Sequence, residues 1–171
     1  MSEQADFDRV WDILEKHSVG MLTTKYGGEL RARPLDARPD RNENMIFFLT
    51  DVRGRKDDEI SAKPDVCFTV TVPQDNIYLS ITARAFISRD TAVAKRIWKK
   101  SDEVWWQGGA EDMNIRVLTL EPLTAELWDG PSSKLVAAYE FAKARLTGEP
   151  PFVGEKRKKV VEIRPPSSTH H

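Results

Sequence analysis

Histidine and cysteine are nearly missing from this chain. Its 171 residues include one cysteine and three histidines. Two of those histidines, His170 and His171, end the polar terminus "RPPSSTHH", which is set aside as a frayed end or tag remnant. A single thiol, Cys67, excludes an internal disulfide framework and any multi-cysteine metal centre. With His17 as the one remaining imidazole, zinc sites and Ser–His or Cys–His catalytic pairs lack their parts, so no metal ligand set is expected. An excess of charge of one sign is also absent: 26 basic residues face 27 acidic ones, for a net charge of −1. No global field then favours nucleic acid or an anionic membrane, and any basic patch must be local. No stretch approaches the ~20 consecutive apolar residues of a membrane span. The opening "MSEQADFDRVWDILEKH" has neither the basic start nor the continuous apolar core of a targeting segment. The expected location is the reducing cytoplasm.

What is present describes an ordinary globular chain, 40% hydrophobic and 31% charged. It is long enough to bury a core as one domain, expected over residues 1–148 with a tail over 149–171. Phe7, Val10, Trp11 and Leu14 recur at helical spacing and predict a first helix over about residues 4–17. "VGMLTTKY", the hairpin signal Gly27–Gly28, "ELRARPLDAR" and "MIFFLT" follow as strands, with Pro34 arguing for an edge, a bulge or a strand that ends early. "RGRKDDEISAK" reads as a short helix closed by Pro64. "VCFTVTV" and "NIYLSITARAFI" alternate strictly and predict two half-buried strands. A helix from about Thr91 to Lys100 precedes a loop carrying Trp105 and Trp106. Two strands separated by a turn at Glu121–Pro122, a final helix over "SSKLVAAYEFAKARL" and a solvated "KRKK" run complete the pattern. Strands joined by hairpin-length turns favour an antiparallel sheet curled into a barrel with helices outside.

The densest chemistry lies in "FFLTDVRGRKDDEI", where Arg53, Arg55 and Lys56 gather where a strand hands over to a helix. A helix start is already partly positive, so each cation there costs roughly 0.3–1 kcal/mol unless something negative joins it. One reading pairs Arg53 with Asp57 and Arg55 with Glu59, in the weaker base-before-acid order. The other brings in an anion: Thr50 offers a hydroxyl, Gly54 admits a close ligand, and Arg55 and Lys56 supply charge suited to phosphate. These residues alone leave both readings open. "LRARPL" places Arg31 and Arg33 on one strand face, either as solvent-facing charges or as donors toward an electron-rich ligand. Trp105, Trp106 and Trp128 serve either as core or interface anchors or as a stacking surface for a planar cofactor.

Taken in order, these segments resemble the FMN-binding split barrels related to pyridoxamine 5′-phosphate oxidase, in particular the general stress protein branch. "LTDVRGRKDDEI" is similar to the family's strand-end threonine, Arg–Lys pair and short helix, which hold the FMN phosphate. "LRARPL" resembles the strand whose arginine and following backbone face the isoalloxazine ring. "TARAFI" matches a later strand, with Ala83–Arg84 where the oxidase has Gly–Arg, and "AELWDGPSSKL" is similar to a C-terminal Trp–x–Gly motif. "WWQGGAEDMNIRVLTLEP" resembles the stress-protein branch itself. The likeness runs from about Val10 to Leu135. It implies a mainly β, six-stranded antiparallel split barrel with flanking helices, forming a homodimer with two flavin sites at its interface. Within that frame Thr50, Arg55 and Lys56 would take the phosphate. Arg33, Pro34 and Leu35 would line the ring edge, and Trp128 the ring or its partner across the interface.

The departures carry equal weight. Where the oxidase holds pyridoxamine phosphate with an arginine and a histidine, this chain has Lys134 and Val136, and a further flavin-contacting arginine is replaced by Ala138. The resemblance therefore implies an FMN protein, a flavin-dependent oxidoreductase for a small substrate, and not an oxidase of pyridoxamine phosphate. No catalytic acid or base is assigned. Three alternatives stay open: a non-catalytic flavin binder of the stress response, the same fold carrying FAD or a deazaflavin, and a purely structural barrel whose basic cluster pairs with its own acids.

Overall fold

The computed structural model describes residues 3–54, 60–129, 142–148 and 158–163. Helix α1 (Glu3–Lys16) opens with Glu3 and Asp6 at its positive end and closes with Lys16 at its negative end. Val10, Trp11, Ile13 and Leu14 form its buried stripe, and Phe7 packs beside Trp11 with ring centroids 6.2 Å apart. Strands β1 (Val19–Tyr26) and β2 (Glu29–Asp36) pair with Tyr26 opposite Glu29, so Gly27–Gly28 is a two-residue turn. Gly27 takes the positive φ of 58° that such a turn demands. Then come β3 (Arg38–Asp40), β4 (Met45–Asp51), β5 (Asp65–Val72), β6 (Ile77–Ser88), α2 (Thr91–Ile97), β7 (Ile115–Asp129) and β8 (Lys158–Glu162).

All eight strands join one antiparallel sheet in the order β2-β1-β5-β6-β7-β4-β3, with β8 added on β7. Only Ala37 separates β2, which pairs with β1, from β3, which pairs with β4. Residues 29–40 thus act as one bent strand that joins the two ends of the path and closes the barrel. The six strands expected of the barrel are β1, the β2–β3 strand, β4, β5, β6 and β7. The eighth segment is an addition.

Alternation fills the interior as the sequence predicts. Val66, Phe68, Val70 and Val72 of β5 and Ile77, Leu79, Ile81, Ala83 and Ala85 of β6 are buried together with the α1 stripe. Each large side chain so buried contributes roughly 1.5–3 kcal/mol. Phe48 and Phe68 meet edge to face at 5.2 Å. The contact between β1 and β5 requires Gly20, since a Cβ there would sit 2.4 Å from the Thr69 carbonyl oxygen. A second apolar cluster lies outside the barrel, where Phe47, Ile115 and Val117 meet Ala94 of α2 and Trp106.

Four expectations change. No turn divides the chain at Glu121–Pro122: β7 runs unbroken, and its pairing with β6 shifts register between Thr82 and Ala83. Proline has no N–H for the ladder, so the strand bulges there instead of ending. The Leu123 carbonyl accepts the Ile163 N–H at 3.0 Å. Helix α2 stops at Ile97 and not near Lys100, because the chain extends at Trp98 and restarts as the 3-10 turn Lys100–Val104, with the Asp102 carboxylate accepting the Lys99 N–H. The region read as a solvated tail supplies β8, with Val161 and Ile163 in the core and Lys159 paired to Asp6 of α1 at 2.6 Å. Of the helix expected over 53–63, residues Val52–Gly54 form a 3-10 turn and 60–62 are helical, while 55–59 lie outside the described residues. The helix expected over "SSKLVAAYEFAKARL" lies outside them except for helical residues 142–147. Pro34 does sit on an edge strand, as its missing N–H requires. Among the described residues no helix is long and apolar enough to cross a membrane.

Candidate functional site

The hairpin turn fixes the register of β2, setting Arg33 opposite Leu22, Pro34 opposite Met21 and Leu35 opposite Gly20. Arg33 and Leu35 therefore share the barrel-side face, where Leu35 packs on the core. The Arg33 Nη2 donates to the hydroxyl of Thr24 at 2.7 Å, and Thr24 is buried. Arg31, on the same strand face, is used differently: its guanidinium lies 4.4 Å from the Tyr26 ring centroid and 3.5 Å from Glu29. The two arginines read as a pair in the sequence thus separate into a braced, half-buried group and a surface group.

In β4 the alternation sends Ile46, Phe48 and Thr50 inward, while Phe47 and Leu49 pack outward in the cluster beneath α2. Thr50, opposite Arg116, is 2% exposed at the mouth of the strand. Asp51 follows on the outer face, and the Val52 N–H donates to the Asn114 carbonyl at 2.9 Å, closing the ladder before the turn at Val52–Gly54. The Asp51 Oδ1 accepts the Arg53 backbone N–H and the Arg53 Nε, both at 2.8 Å, while Oδ2 accepts Nη2 at 2.5 Å. These hydrogen bonds hold the Asp51 carboxyl at about 2 against the opposing cost of burial. Arg53 therefore pairs back to Asp51, two residues before it. Asp57, Arg55 and Lys56 lie outside the described residues.

The adjacent tryptophans also divide. Trp106 is buried, with its ring 6.4 Å from that of Trp98, whereas Trp105 is 74% exposed. Their position is set by Asp102, whose carbonyl accepts the backbone N–H of Trp105 at 2.9 Å and of Trp106 at 3.1 Å. The Asp102 carboxylate accepts Arg38 Nη2 at 2.9 Å in a buried pair. Arg38 Nη1 reaches Asp36 at 2.8 Å, so the loop is tied to the bend between β2 and β3.

Trp128 stands near the far end of β7, opposite Tyr78 of β6 and Lys158 of β8. Thr50 pairs with Arg116 near the start of the same strand. Twelve residues of strand separate the two positions, roughly 40 Å at about 3.3 Å per residue. Within one chain the basic turn and Trp128 belong to different regions, a separation that sequence order alone concealed. The sequence pattern does not mark Thr24, Asp51, Arg38 or Asp102 as site residues. The hairpin register held the clue to Thr24, whereas nothing local marks Arg38 and Asp102, which meet across 64 positions.

A family model for "Pyridoxamine 5'-phosphate oxidase like" proteins matches residues 5–151. The chain is 26% identical over 125 residues to General stress protein 26 of Bacillus subtilis (strain 168), covering 71% of this chain and 87% of that protein. A solved structure of a general stress protein 26 from Jannaschia sp. CCS1 superposes with a TM-score of 0.75 at 28% identity, over 92% of this chain and 99% of that one. Another, described as a general stress FMN/FAD binding protein of Xanthomonas citri, shares the fold with a TM-score of 0.68 at 22% identity, over 76% and 92% of the two chains. The antiparallel barrel, its closure through residues 29–40 and the match over residues 5–151 together place this chain in the pyridoxamine 5′-phosphate oxidase-like family.

Proposed function

We propose that this protein binds FMN as a homodimer and serves as a flavin-dependent oxidoreductase for a small substrate. The observation that carries the reading is Thr50, a buried hydroxyl at the end of β4 that opens directly into the basic turn. The donor set fits a flavin mononucleotide: Thr50 with Arg55 and Lys56 suits a phosphate, and Arg33, braced by Thr24, suits the ring edge together with Pro34 and Leu35. When bound, the isoalloxazine ring supplies hydride or electron transfer. Around it Arg33 places positive charge that favours added negative charge on the ring, and the phosphate donors fix its register.

The length of β7 supports the dimer. The path along β7 from Arg116, the partner of Thr50, to Trp128 is longer than a mononucleotide, which favours a tryptophan of a second copy at the same cofactor. The outer face of the sheet suits such a copy. Pro34, Met21, Thr69, Ser80, Glu126 and Val160 line up in register across six strands. Met21 and Val160 are exposed there.

The decisive experiment is titration of the apo protein with FMN, FAD, riboflavin and a deazaflavin, alongside a solution mass. Micromolar or tighter FMN binding by a dimer is expected, and failure of all four ligands to bind overturns the reading. Lys56→Ala should weaken FMN more than riboflavin; equal loss removes Lys56 from the phosphate. Lys134 and Val136, standing where the oxidase binds its substrate, favour a second reading, a flavin binder without turnover. Reduction of the bound flavin by any physiological donor counts against it. The Xanthomonas citri relative, described as binding FMN/FAD, keeps both flavins in the comparison.

A further inference from the structure

The basic turn contains its own carboxylate. Asp51 lies one residue after the threonine proposed to meet a phosphate, and its place is fixed by the last rung of the β4–β7 ladder. The turn itself calls for an acceptor there, because the Asp51 Oδ1 takes the Arg53 backbone N–H in the manner of an Asx-turn. An ionised carboxylate beside an anion site is unfavourable unless a cation cancels it. Arg53 meets that need, with Nε on one oxygen and Nη2 on the other. Asp112 attracts the same guanidinium from the tryptophan loop.

Resting on the FMN reading above, we infer that Arg53 is a positioning residue, the internal counter-charge of Asp51, and not a ligand of the phosphate. Of the three bases that make the segment conspicuous, one serves the protein's own carboxylate.

A double-mutant cycle on the apo protein tests this, with the FMN-to-riboflavin affinity ratio as the readout of the phosphate alone and thermal melting as a control for folding. Arg53→Ala exposes Asp51 and is expected to lower the ratio about tenfold by weakening FMN, with riboflavin unchanged. Asp51→Asn keeps an acceptor for the turn and is expected to hold or raise the ratio. The double variant is expected to return within about threefold of the wild type, because no carboxylate is left to cancel. A double variant as weak for FMN as Arg53→Ala alone makes Arg53 a direct ligand and overturns the inference. An unchanged ratio in Arg53→Ala reduces the pair to a structural contact and overturns it equally. If the wild type already fails to prefer FMN over riboflavin, the phosphate reading falls first and the inference with it. That result is visible before any variant is made.

Discussion

Two arginine–aspartate pairs flank the tryptophan loop. Arg38–Asp102 is buried, its side chains 8% and 10% exposed, with N and O 2.9 Å apart. Arg53–Asp51 is closer, at 2.5 Å, yet its side chains are 68% and 27% exposed. Distance alone would rank the second as stronger. Burial reverses the order, because in the dry pair neither charge has water to fall back on, whereas an exposed pair replaces solvation it had already. The first pair therefore holds loop to barrel, and the second adjusts charge at the edge of the candidate site at little cost or gain to the fold.

The sharpest way to break that contrast is to truncate the buried pair. Asp102→Ala leaves Arg38 with Asp36 and backbone carbonyls only, and should cost about 3–5 kcal/mol in chemical denaturation. A cost under about 1 kcal/mol would place this pair in the same class as the exposed one.

The next effect lies on the acid side. The Asp51 carboxyl is lowered from 3.8 to about 2. Its contribution to stability is therefore fully present above the unfolded value and is lost as pH falls through the folded one, a window from about 4 down to about 2. Melting curves of wild type and Asp51→Asn should converge across that window. Parallel curves would show that the hydrogen bonds from Arg53 do not depend on the charge of Asp51.

The smallest effect is expected from Arg53→Ala at neutral pH. Its melting temperature should stay close to the wild type's, since the guanidinium is solvated with or without its partner and the Arg53 backbone N–H still serves Asp51. Because the same substitution is expected to weaken FMN, a variant equally stable but poorer in phosphate recognition would separate the two kinds of pair cleanly. A marked fall in melting temperature would merge them.

Much of the barrel was legible because its signals are local. Strict alternation in β5 and β6, the Gly–Gly turn and the stripe of α1 each follow from the geometry of a single element. What went astray depended on partners distant in sequence. Pro122 reads as a turn, yet β6 lies alongside and carries the strand across a bulge. Lys159 reads as part of a solvated run, yet Asp6 waits for it on α1. Nothing in the sequence marks Asp51 as the partner of Arg53, because charge pairing is legible there only at helical spacing and the chain at Val52–Gly54 turns before any such spacing applies.

The sequence by itself determined the fold class, most of the order of the elements and the family, because period, turn chemistry and motif order are written along one dimension. It also set the inventory from which a site can be built: almost no imidazole or thiol, and a threonine followed by bases. Only the tertiary structure decided how those groups are used. It turned Arg33 toward Thr24 and Arg31 toward Tyr26, buried Trp106 while exposing Trp105, and paired Thr50 with Arg116, twelve residues along β7 from Trp128. The physical reason is that a charge or a ring acquires its energetic role from burial and from neighbours across the sheet, and neither exists until the chain has closed on itself.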